Sequence, residues 1–187
     1  MRRRHAALVD KMIHTCHERL ARAWQTPLTA RHWRMTGGLL MSYGLLAVPL
    51  GRRTGFLQPT LIAVPRTQYL VLPASLFVLP ALSEEVLFRV LLVPHPTERR
   101  SRPWIMAETS LSLLLFVAWH PVNAWTFSPT ARPILTDRRF LLLATLLGAV
   151  CTLAYRWTGS LWPPVLIHWL VVCGWVLCFG GHQAGKS

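Results

Sequence analysis

Acidic side chains are scarce in this chain. It has 7 Asp and Glu residues against 20 Lys and Arg residues in a total of 187, and charged residues make up 14% of the sequence. A globular domain has about 25% charged residues. Hydrophobic residues reach 52%. Because a soluble core would not combine long apolar runs with so few acids, the composition indicates a single-domain membrane protein.

Sequence signals for several other functions are missing. There is no zinc-finger spacing, RNA-binding signature or phosphate-binding loop, so the net charge of +13 does not indicate nucleic-acid binding. The basic residues mostly flank apolar runs, which favours contact with anionic membrane lipid. The chain has four cysteines without a CxxC pair, and we interpret them as small buried hydrophobic residues rather than a disulfide framework or zinc site. They are Cys16, Cys151, Cys173 and Cys178.

Five apolar segments predict an all-α, multi-pass bundle of about five transmembrane helices. The predicted spans are 37–50, 69–93, 107–125, 140–157 and 161–179. The first is short, since a membrane of about 30 Å requires roughly 20 helical residues. Pro80 is expected to kink the second span and to open space beside the residues that follow it. Pro121 is expected to bend or end the third.

The spans divide the chain into three parts. Residues 1–36 form a basic segment with apolar residues at helical spacing, which predicts an amphipathic helix on the membrane surface. Residues 37–179 form the bundle, with a loop at 51–68 in which we considered a re-entrant piece at 61–64. Residues 180–187 form a polar tail. With the N-terminus inside, the inner loops hold 12 basic residues and the outer loops 7, which predicts a cytoplasmic N-terminus.

Three ionisable residues interrupt the second apolar run: Glu84, Glu85 and Arg89. A charged residue near the bilayer centre costs roughly 2.5–3.5 kcal/mol, so such residues usually pair or have a function. Glu85 and Arg89 are four residues apart on a helix, with the acid first, and are predicted to pair. Glu84 lies about 100° away around the helix and has no such partner, so it is free for chemistry. Alternatively, all three belong to a solvated loop or a buried ion-pair network.

Two further titratable residues, His120 and His168, lie within separate apolar spans. A helix bundle can bring them to one interior site with Glu84. One carboxylate and two imidazoles suit the activation of a water for hydrolysis. The same residues could bind a metal, although the HExxH spacing is absent. In a third interpretation each histidine only forms hydrogen bonds between helices.

The motifs around these residues resemble those of the CPBP family, the CAAX-protease and bacteriocin-processing membrane proteins also called the Abi family. Residues 84–89, EEVLFR, resemble its EExxxR motif, and residues 116–120, FVAWH, resemble its FxxxH motif. Residues 148–168 resemble the segment before the last family histidine. The resemblance covers about 69–179 and implies a helical core of about four spans.

The resemblance also implies an activity, an intramembrane endopeptidase that cleaves a membrane-associated peptide or protein without a metal or other cofactor. In this interpretation Glu84 activates the water, His120 assists it and His168 helps to hold the oxyanion. Glu85 and Arg89 form the structural pair.

One position departs from the family pattern. The last motif usually continues as HxxxN or HxxxD, but Val172 lies four residues after His168. Loss of one oxyanion donor can lower a rate by about 10²–10³. Asn123 is a candidate for the missing amide. A membrane protein partner is one way in which the site could be completed. The alternative function is a non-catalytic membrane scaffold or maturation factor.

Overall fold

A computed structural model describes residues 2–61, 65 and 67–181, and this part of the chain is all-α, as predicted. Two π-helical stretches interrupt the third helix, and a 3₁₀ turn at Pro129–Ala131 precedes the fifth. The seven helices in the described residues are α1 (Arg2–Gln25), α2 (Ala30–Arg53), α3 (Gln68–Leu91), α4 (Arg102–Thr126), α5 (Arg132–Leu135), α6 (Arg138–Thr158) and α7 (Trp162–Cys178).

Three helices, α3, α4 and α6, are long and apolar enough to cross a membrane by length and composition. Helix α7 is apolar but has 17 residues, which gives it a length of about 25 Å. Helix α2 has 24 residues and extends the predicted span 37–50 at both ends with more polar residues. These five helices form the bundle of an integral membrane protein, and the cytoplasmic location of the N-terminus stays a prediction.

Helix α6 lies at the centre of the bundle, where it contacts α2, α4 and α7. Its apolar side chains pack against α2 and α7 on one side and against α3 and α4 on another. The buried side chains toward α2 and α7 are Tyr43, Ala47, Leu57, Leu143, Leu147, Cys151, Ala154 and Ile167. Those toward α3 and α4 include Phe88, Phe116 and Ala144. This arrangement surrounds an interior space into which side chains of all five helices point.

Some expectations were wrong in detail. Pro121 was expected to bend or end α4; it does not end the helix, which continues to Thr126 close to the predicted bound of 125, and a bend stays a prediction. The segment before α6 contains the short helix α5. Pro133 lies in its first turn, where a missing N–H costs no hydrogen bond. Cys178 is exposed rather than buried. Residues 62–64 of the considered re-entrant piece and 182–187 of the tail lie outside the described residues.

Helix α1 is attached to one end of the bundle through Arg19. The guanidinium donates to both carboxylate oxygens of Glu98, at 2.7 and 2.8 Å, and to the carbonyl of Leu91 at 2.7 Å. We call Arg19 and Glu98 the α1 clamp. Apolar side chains on another face of α1 are exposed, and their predicted contact with membrane lipid stays a prediction. They are Val9, Met12, Ile13, Leu20 and Trp24.

Candidate active site

Helix α3 is broken just before its two glutamates. Leu79 leaves the helical conformation, with φ −131° and ψ 113°, and Pro80 follows it. Proline has no N–H to continue the helical ladder. The side of the helix around this break, including Ser83 and Glu84, lines the interior space between the helices.

This space is a cavity of about 1,040 Å³, bounded by α2, α3, α4, α6 and α7. Ligand pockets in proteins have volumes of about 300–1,000 Å³. Most of the lining is apolar, and four polar side chains in it are residues singled out from the sequence: Glu84, His120, Asn123 and His168. The fold therefore brings the candidate acid, both histidines and the candidate amide to the wall of one cavity.

Glu85 lies behind this wall and is fully buried. One carboxylate oxygen, Oε1, is 2.7 Å from Nδ1 of His168, and the other, Oε2, is 3.1 Å from Nε of Arg89. The spacing of the sequence indicated the second contact but not the first, because His168 lies 83 residues away in the chain. Glu85 thus links the arginine of its own helix to the histidine of α7.

The hydrogen bonds of the two histidines determine which ring nitrogen carries a proton. A carboxylate or a carbonyl can only accept, so Nδ1 of each histidine donates: His168 to Glu85, and His120 to the carbonyl of Phe116 at 2.9 Å. Nε2 of a neutral His120 is then an acceptor. Nε2 of His168 lies 3.9 Å from Oε2 of Glu84. Within the described residues neither Nε2 atom takes part in a hydrogen bond, which leaves both available to a water or a substrate.

Helix α4 continues past Pro121, and the side chain of His120 bonds to the backbone of its own helix. Pro121 has no N–H, so the carbonyl of Val117 lacks its usual helical donor. Nδ1 of His120, the residue before this proline, lies 2.9 Å from the carbonyl of Phe116. This local geometry holds the His120 ring against its own helix.

Arg89 is held by groups of other helices. Its Nη2 donates to the carbonyl of Gly148 at 3.1 Å, and its Cζ lies 4.1 Å from the centre of the Phe116 ring, a cation–π contact. A Cβ at position 148 would lie 2.8 Å from Phe116 and 3.0 Å from Nη2 of Arg89. A Cβ at position 148 would therefore require these side chains to shift.

The ring of Phe116 also contacts both histidines. Its centre lies 5.1 Å from that of His120 and 6.0 Å from that of His168, each in an edge-to-face arrangement. This geometry is favourable for aromatic pairs. Phe116 therefore touches the arginine and both imidazoles, which gives the phenylalanine of the FxxxH pattern a positioning role.

Trp119 is a residue of the site that the sequence reasoning missed. It is half-buried and lines the cavity, as Glu84 does. Among the described residues no hydrogen bond or ion pair joins His120 to Glu84. In the sequence Trp119 directly precedes His120 in FVAWH, but the FxxxH pattern leaves this position unspecified.

No metal centre is evident in the described part of the chain, since no three His, Cys, Asp or Glu side chains lie close enough together to hold an ion. Glu84 and Glu85 each approach His168, but at different nitrogens of its ring, so the three side chains do not converge on one point.

The fold and the cavity define a class, a polytopic membrane protein with a buried carboxylate–histidine site. The chain belongs to a particular family within this class: the model of the type II CAAX prenyl endopeptidase Rce1-like family matches residues 66–174. The match covers more than half of the chain and includes all three motifs, which confirms the resemblance to CPBP proteins. No curated protein and no solved structure matches the chain.

Proposed function

We propose that this protein is an intramembrane endopeptidase in which Glu84 activates the water that attacks a peptide bond. The substrate is a membrane-associated peptide or protein. The observation that carries the proposal is the Glu84 carboxyl at the wall of a cavity of about 1,040 Å³, with Nε2 of His168 3.9 Å from its Oε2. Membership of a family of CAAX endopeptidases supports the same reaction.

In this mechanism a water lies between Glu84 and His120. Glu84 takes one proton from the water while the water oxygen adds to the carbonyl carbon of the substrate. Nε2 of His120 accepts a hydrogen bond from the other O–H of the water. The carbonyl oxygen becomes an oxyanion. Glu84 then gives its proton to the leaving amine as the carbon–nitrogen bond breaks. All atoms and charges balance without a metal.

His168 has the role of a donor to the oxyanion. The Glu85 carboxylate accepts from Nδ1 of His168 at 2.7 Å and so orients the ring, and a proton on Nε2 would be donated into the cavity. Arg89 in turn holds Glu85. Glu85, Arg89 and Phe116 are positioning residues in this scheme, because they act on the histidines rather than on the substrate.

A specific observation favours the alternative, a non-catalytic scaffold or maturation factor. Val172 lines the cavity one turn beyond His168 and has no hydrogen-bonding side chain. A scaffold would retain the fold and the Glu85–Arg89 pair but would not need Glu84 in particular.

Cleavage by purified protein in nanodiscs distinguishes the two functions. The probes are C-terminal peptides with and without a prenylated cysteine, and the products are identified by mass spectrometry. We expect Glu84→Gln to abolish cleavage, by at least about 10³-fold as for removal of a catalytic base, with little change in melting temperature. The matched control is Glu18→Gln, at a partly exposed acid of α1, which should leave the rate unchanged.

An added chelator should not alter the rate. Cleavage by the Glu84→Gln variant at the wild-type rate would refute the mechanism. A stable wild-type protein that cleaves none of the peptides would favour the scaffold.

A further inference from the structure

We propose that helix α1 couples an anionic membrane surface to the active site. Its exposed apolar side chains insert into the lipid, and its buried side chains hold α3 and α7 in the arrangement that the site requires. This inference deepens the proposed function by naming a regulator of the same site, and the part that concerns the cleavage rate rests on it. Helix α1 lies outside residues 66–174, which the family model matches, so membership of the family does not account for it.

The first step is the position of α1. The guanidinium of Arg19 donates to the carbonyl of Leu91, the last residue of α3, at 2.7 Å. The carbonyl of Ala23 accepts from the N–H of Leu161 at 3.0 Å, directly before α7 begins. Helix α1 therefore bridges the end of α3 and the start of α7, at the level where these helices end.

The second step is the link from this bridge to the site. In the described residues two side-chain hydrogen bonds join α3 to α7 directly, that of His168 with Glu85 and that of Trp169 with the carbonyl of Pro73 at 2.8 Å. His168 lies about 10 Å along the helix axis from Leu161, where α1 is attached. A displacement of about 1 Å in a catalytic site can lower a rate about 10²-fold. No described residue of α1 lines the cavity, so α1 acts on the position of the helices and not on the substrate.

The third step is the distribution of side chains around α1. The stripe that contains Arg19 and Ala23 is buried against the bundle. About 80–140° from Arg19 in one direction lies an exposed apolar stripe, and about 60–140° in the other direction lies a polar stripe. The apolar stripe consists of Val9, Ile13, Leu20 and Trp24, and the polar stripe of Lys11, His14, Glu18 and Arg22. A helix with two such stripes lies in the plane of a membrane interface.

The apolar stripe continues onto the surface of α3. Leu20 and Trp24 of the stripe line one groove together with Leu82 and Val86 of α3. Because α3 is long and apolar enough to cross the membrane, this side of α1 faces the same hydrocarbon region. The continuity favours lipid over a water-soluble partner as the group that covers the stripe.

The charges at this end of the bundle favour an anionic lipid. The acids here are Asp10 and three glutamates, and each glutamate pairs with an arginine: Glu18 with Arg22, Glu98 with Arg19 and Glu108 with Arg100. Among the described residues no acid pairs with the further exposed cations of this end, which are Lys11, Arg31, Arg34, Arg99 and Arg102. Cationic side chains beside a membrane attract anionic headgroups.

The first measurement is the depth of α1 in nanodiscs that contain phosphatidylglycerol. A spin label at Ile13→Cys, on the apolar stripe, should be accessible to oxygen and protected from a water-soluble relaxation reagent. The matched control is a label at His14→Cys, on the polar stripe, which should show the reverse. Both are made with Cys16→Ala and Cys178→Ala, because the other two cysteines are buried.

The second measurement does not need turnover. Adding phosphatidylglycerol to phosphatidylcholine nanodiscs should slow hydrogen exchange at the N–H of Leu161, because its acceptor is the carbonyl of Ala23. Val9→Gln combined with Ile13→Gln should remove this effect, since it makes the apolar stripe polar while glutamine is at least as good a helix former as the residues it replaces. His14→Gln is the control on the polar stripe and should retain the effect.

The third measurement is the cleavage rate. We expect kcat of the wild type to rise at least about fivefold with phosphatidylglycerol, a factor typical of coupling between sites, with KM nearly unchanged. The double glutamine variant should lose this rise. Arg19→Gln should leave the depth of α1 unchanged, yet its kcat should stay near the value in phosphatidylcholine, because Arg19 carries the bond to the carbonyl of Leu91.

The proposal is overturned if the label at position 13 is as accessible to the water-soluble reagent as the label at position 14. It is also overturned if phosphatidylglycerol changes neither the exchange of Leu161 nor kcat. Protection of position 13 that depends on protein concentration rather than on lipid would assign the stripe to a second copy of the chain, which overturns the proposal as well. Failure of the proposed function looks different: the wild type would cleave none of the peptides in any lipid, while the depth of α1 and the exchange of Leu161 would still respond to phosphatidylglycerol.

Discussion

Two carboxylate–arginine pairs lie in different parts of this protein and are built differently. The α1 clamp, Arg19 with Glu98, has side chains 10% and 16% exposed, and the pair in the bundle, Arg89 with Glu85, has side chains 1% and 0% exposed. In the clamp, Arg19 makes three hydrogen bonds and Glu98 also accepts from the backbone N–H of His95 at 2.8 Å. The clamp therefore satisfies its own hydrogen-bonding groups.

Within the described residues, the Arg89–Glu85 pair in the bundle leaves some of its hydrogen-bonding groups unsatisfied. Among the described residues, Oε2 of Glu85 and both Nε and Nη1 of Arg89 have no hydrogen-bond partner, although Oε2 and Nε are 3.1 Å apart. Buried polar atoms without partners cost free energy, and a buried ion pair is weak evidence of stabilisation. The comparison teaches that the clamp joins helices, whereas the buried pair fits a role in positioning His168.

The largest effect should come from breaking each pair at its arginine. Arg89→Ala leaves Glu85 buried without a counter-charge and should cost about 3–5 kcal/mol of unfolding free energy. Arg19→Ala leaves Glu98 near solvent and should cost about 1.5–3 kcal/mol. Denaturant unfolding in mixed micelles measures both.

A double variant sharpens this test. Glu85→Gln with Arg89→Met removes both charges and should recover most of the lost stability, since apolar replacements of buried pairs are often neutral. Cleavage should stay abolished, because His168 loses the carboxylate on Nδ1. A larger loss for Arg19→Ala than for Arg89→Ala would contradict the comparison.

The second largest effect concerns the glycine that supports Arg89. Gly148→Ala places a Cβ 2.7 Å from Leu113 and 2.8 Å from Phe116, and overpacking of this kind costs about 1–3 kcal/mol. The matched control is Gly38→Ala in α2, where a Cβ meets nothing within 4 Å. Because alanine is the better helix former by up to about 1 kcal/mol, the control should be neutral or stabilising.

Melting temperature and cleavage rate should both fall for Gly148→Ala only. Equal melting temperatures for the two alanine variants would show that the bundle relaxes around position 148, and that the close approach of Arg89 does not require glycine.

Much of the fold followed from the sequence because apolar run length is a strong signal in membrane proteins. The spans and the contact of Glu85 with Arg89 depend on residues close together in the chain. The contact of His168 with Glu85 and that of Arg89 with the carbonyl of Gly148 could not be predicted, since they join helices far apart in sequence. Pairing between helices depends on tertiary packing, which spacing does not encode.

Local rules also failed where the tertiary structure overrode them. Pro121 was expected to bend or end α4, but the helix continues to Thr126 because the packing of the bundle holds the residues on both sides of the proline. Trp119 resembled an ordinary apolar residue of a span. Its place in the cavity wall depends on how α4 packs against the other helices.

The smallest effect concerns the clamp and pH, through His95. Burial lowers the pKa of His95, although its hydrogen bond to the carbonyl of Gly159 opposes the shift, and the charged groups around it are Arg22, Glu98 and Arg156. Burial alone would raise the pKa of Glu98, but hydrogen bonds from Arg19 and from the His95 N–H hold it below its usual range.

These two shifts act in different pH ranges. A histidine with a lowered pKa binds fewer protons in the folded state, so stability should fall as the pH drops below about 6.5. Stability from Glu98 is present above the ordinary pKa of a glutamate and is lost only as the pH falls below about 4.3. Between pH 8 and 5.5 the change in melting temperature attributable to the clamp should therefore come from His95.

His95→Gln tests this assignment. An amide can still donate to the carbonyl of Gly159 but does not titrate, so the decrease in melting temperature between pH 8 and 5.5 should become smaller. His17→Gln, at an exposed histidine of α1, is the control and should retain the wild-type decrease. The cleavage rate at pH 8 should be unchanged in both variants, because His95 lies at the clamp rather than in the cavity. A wild-type decrease that persists in His95→Gln would assign the pH dependence to groups outside the clamp, and the clamp would then be a purely structural contact.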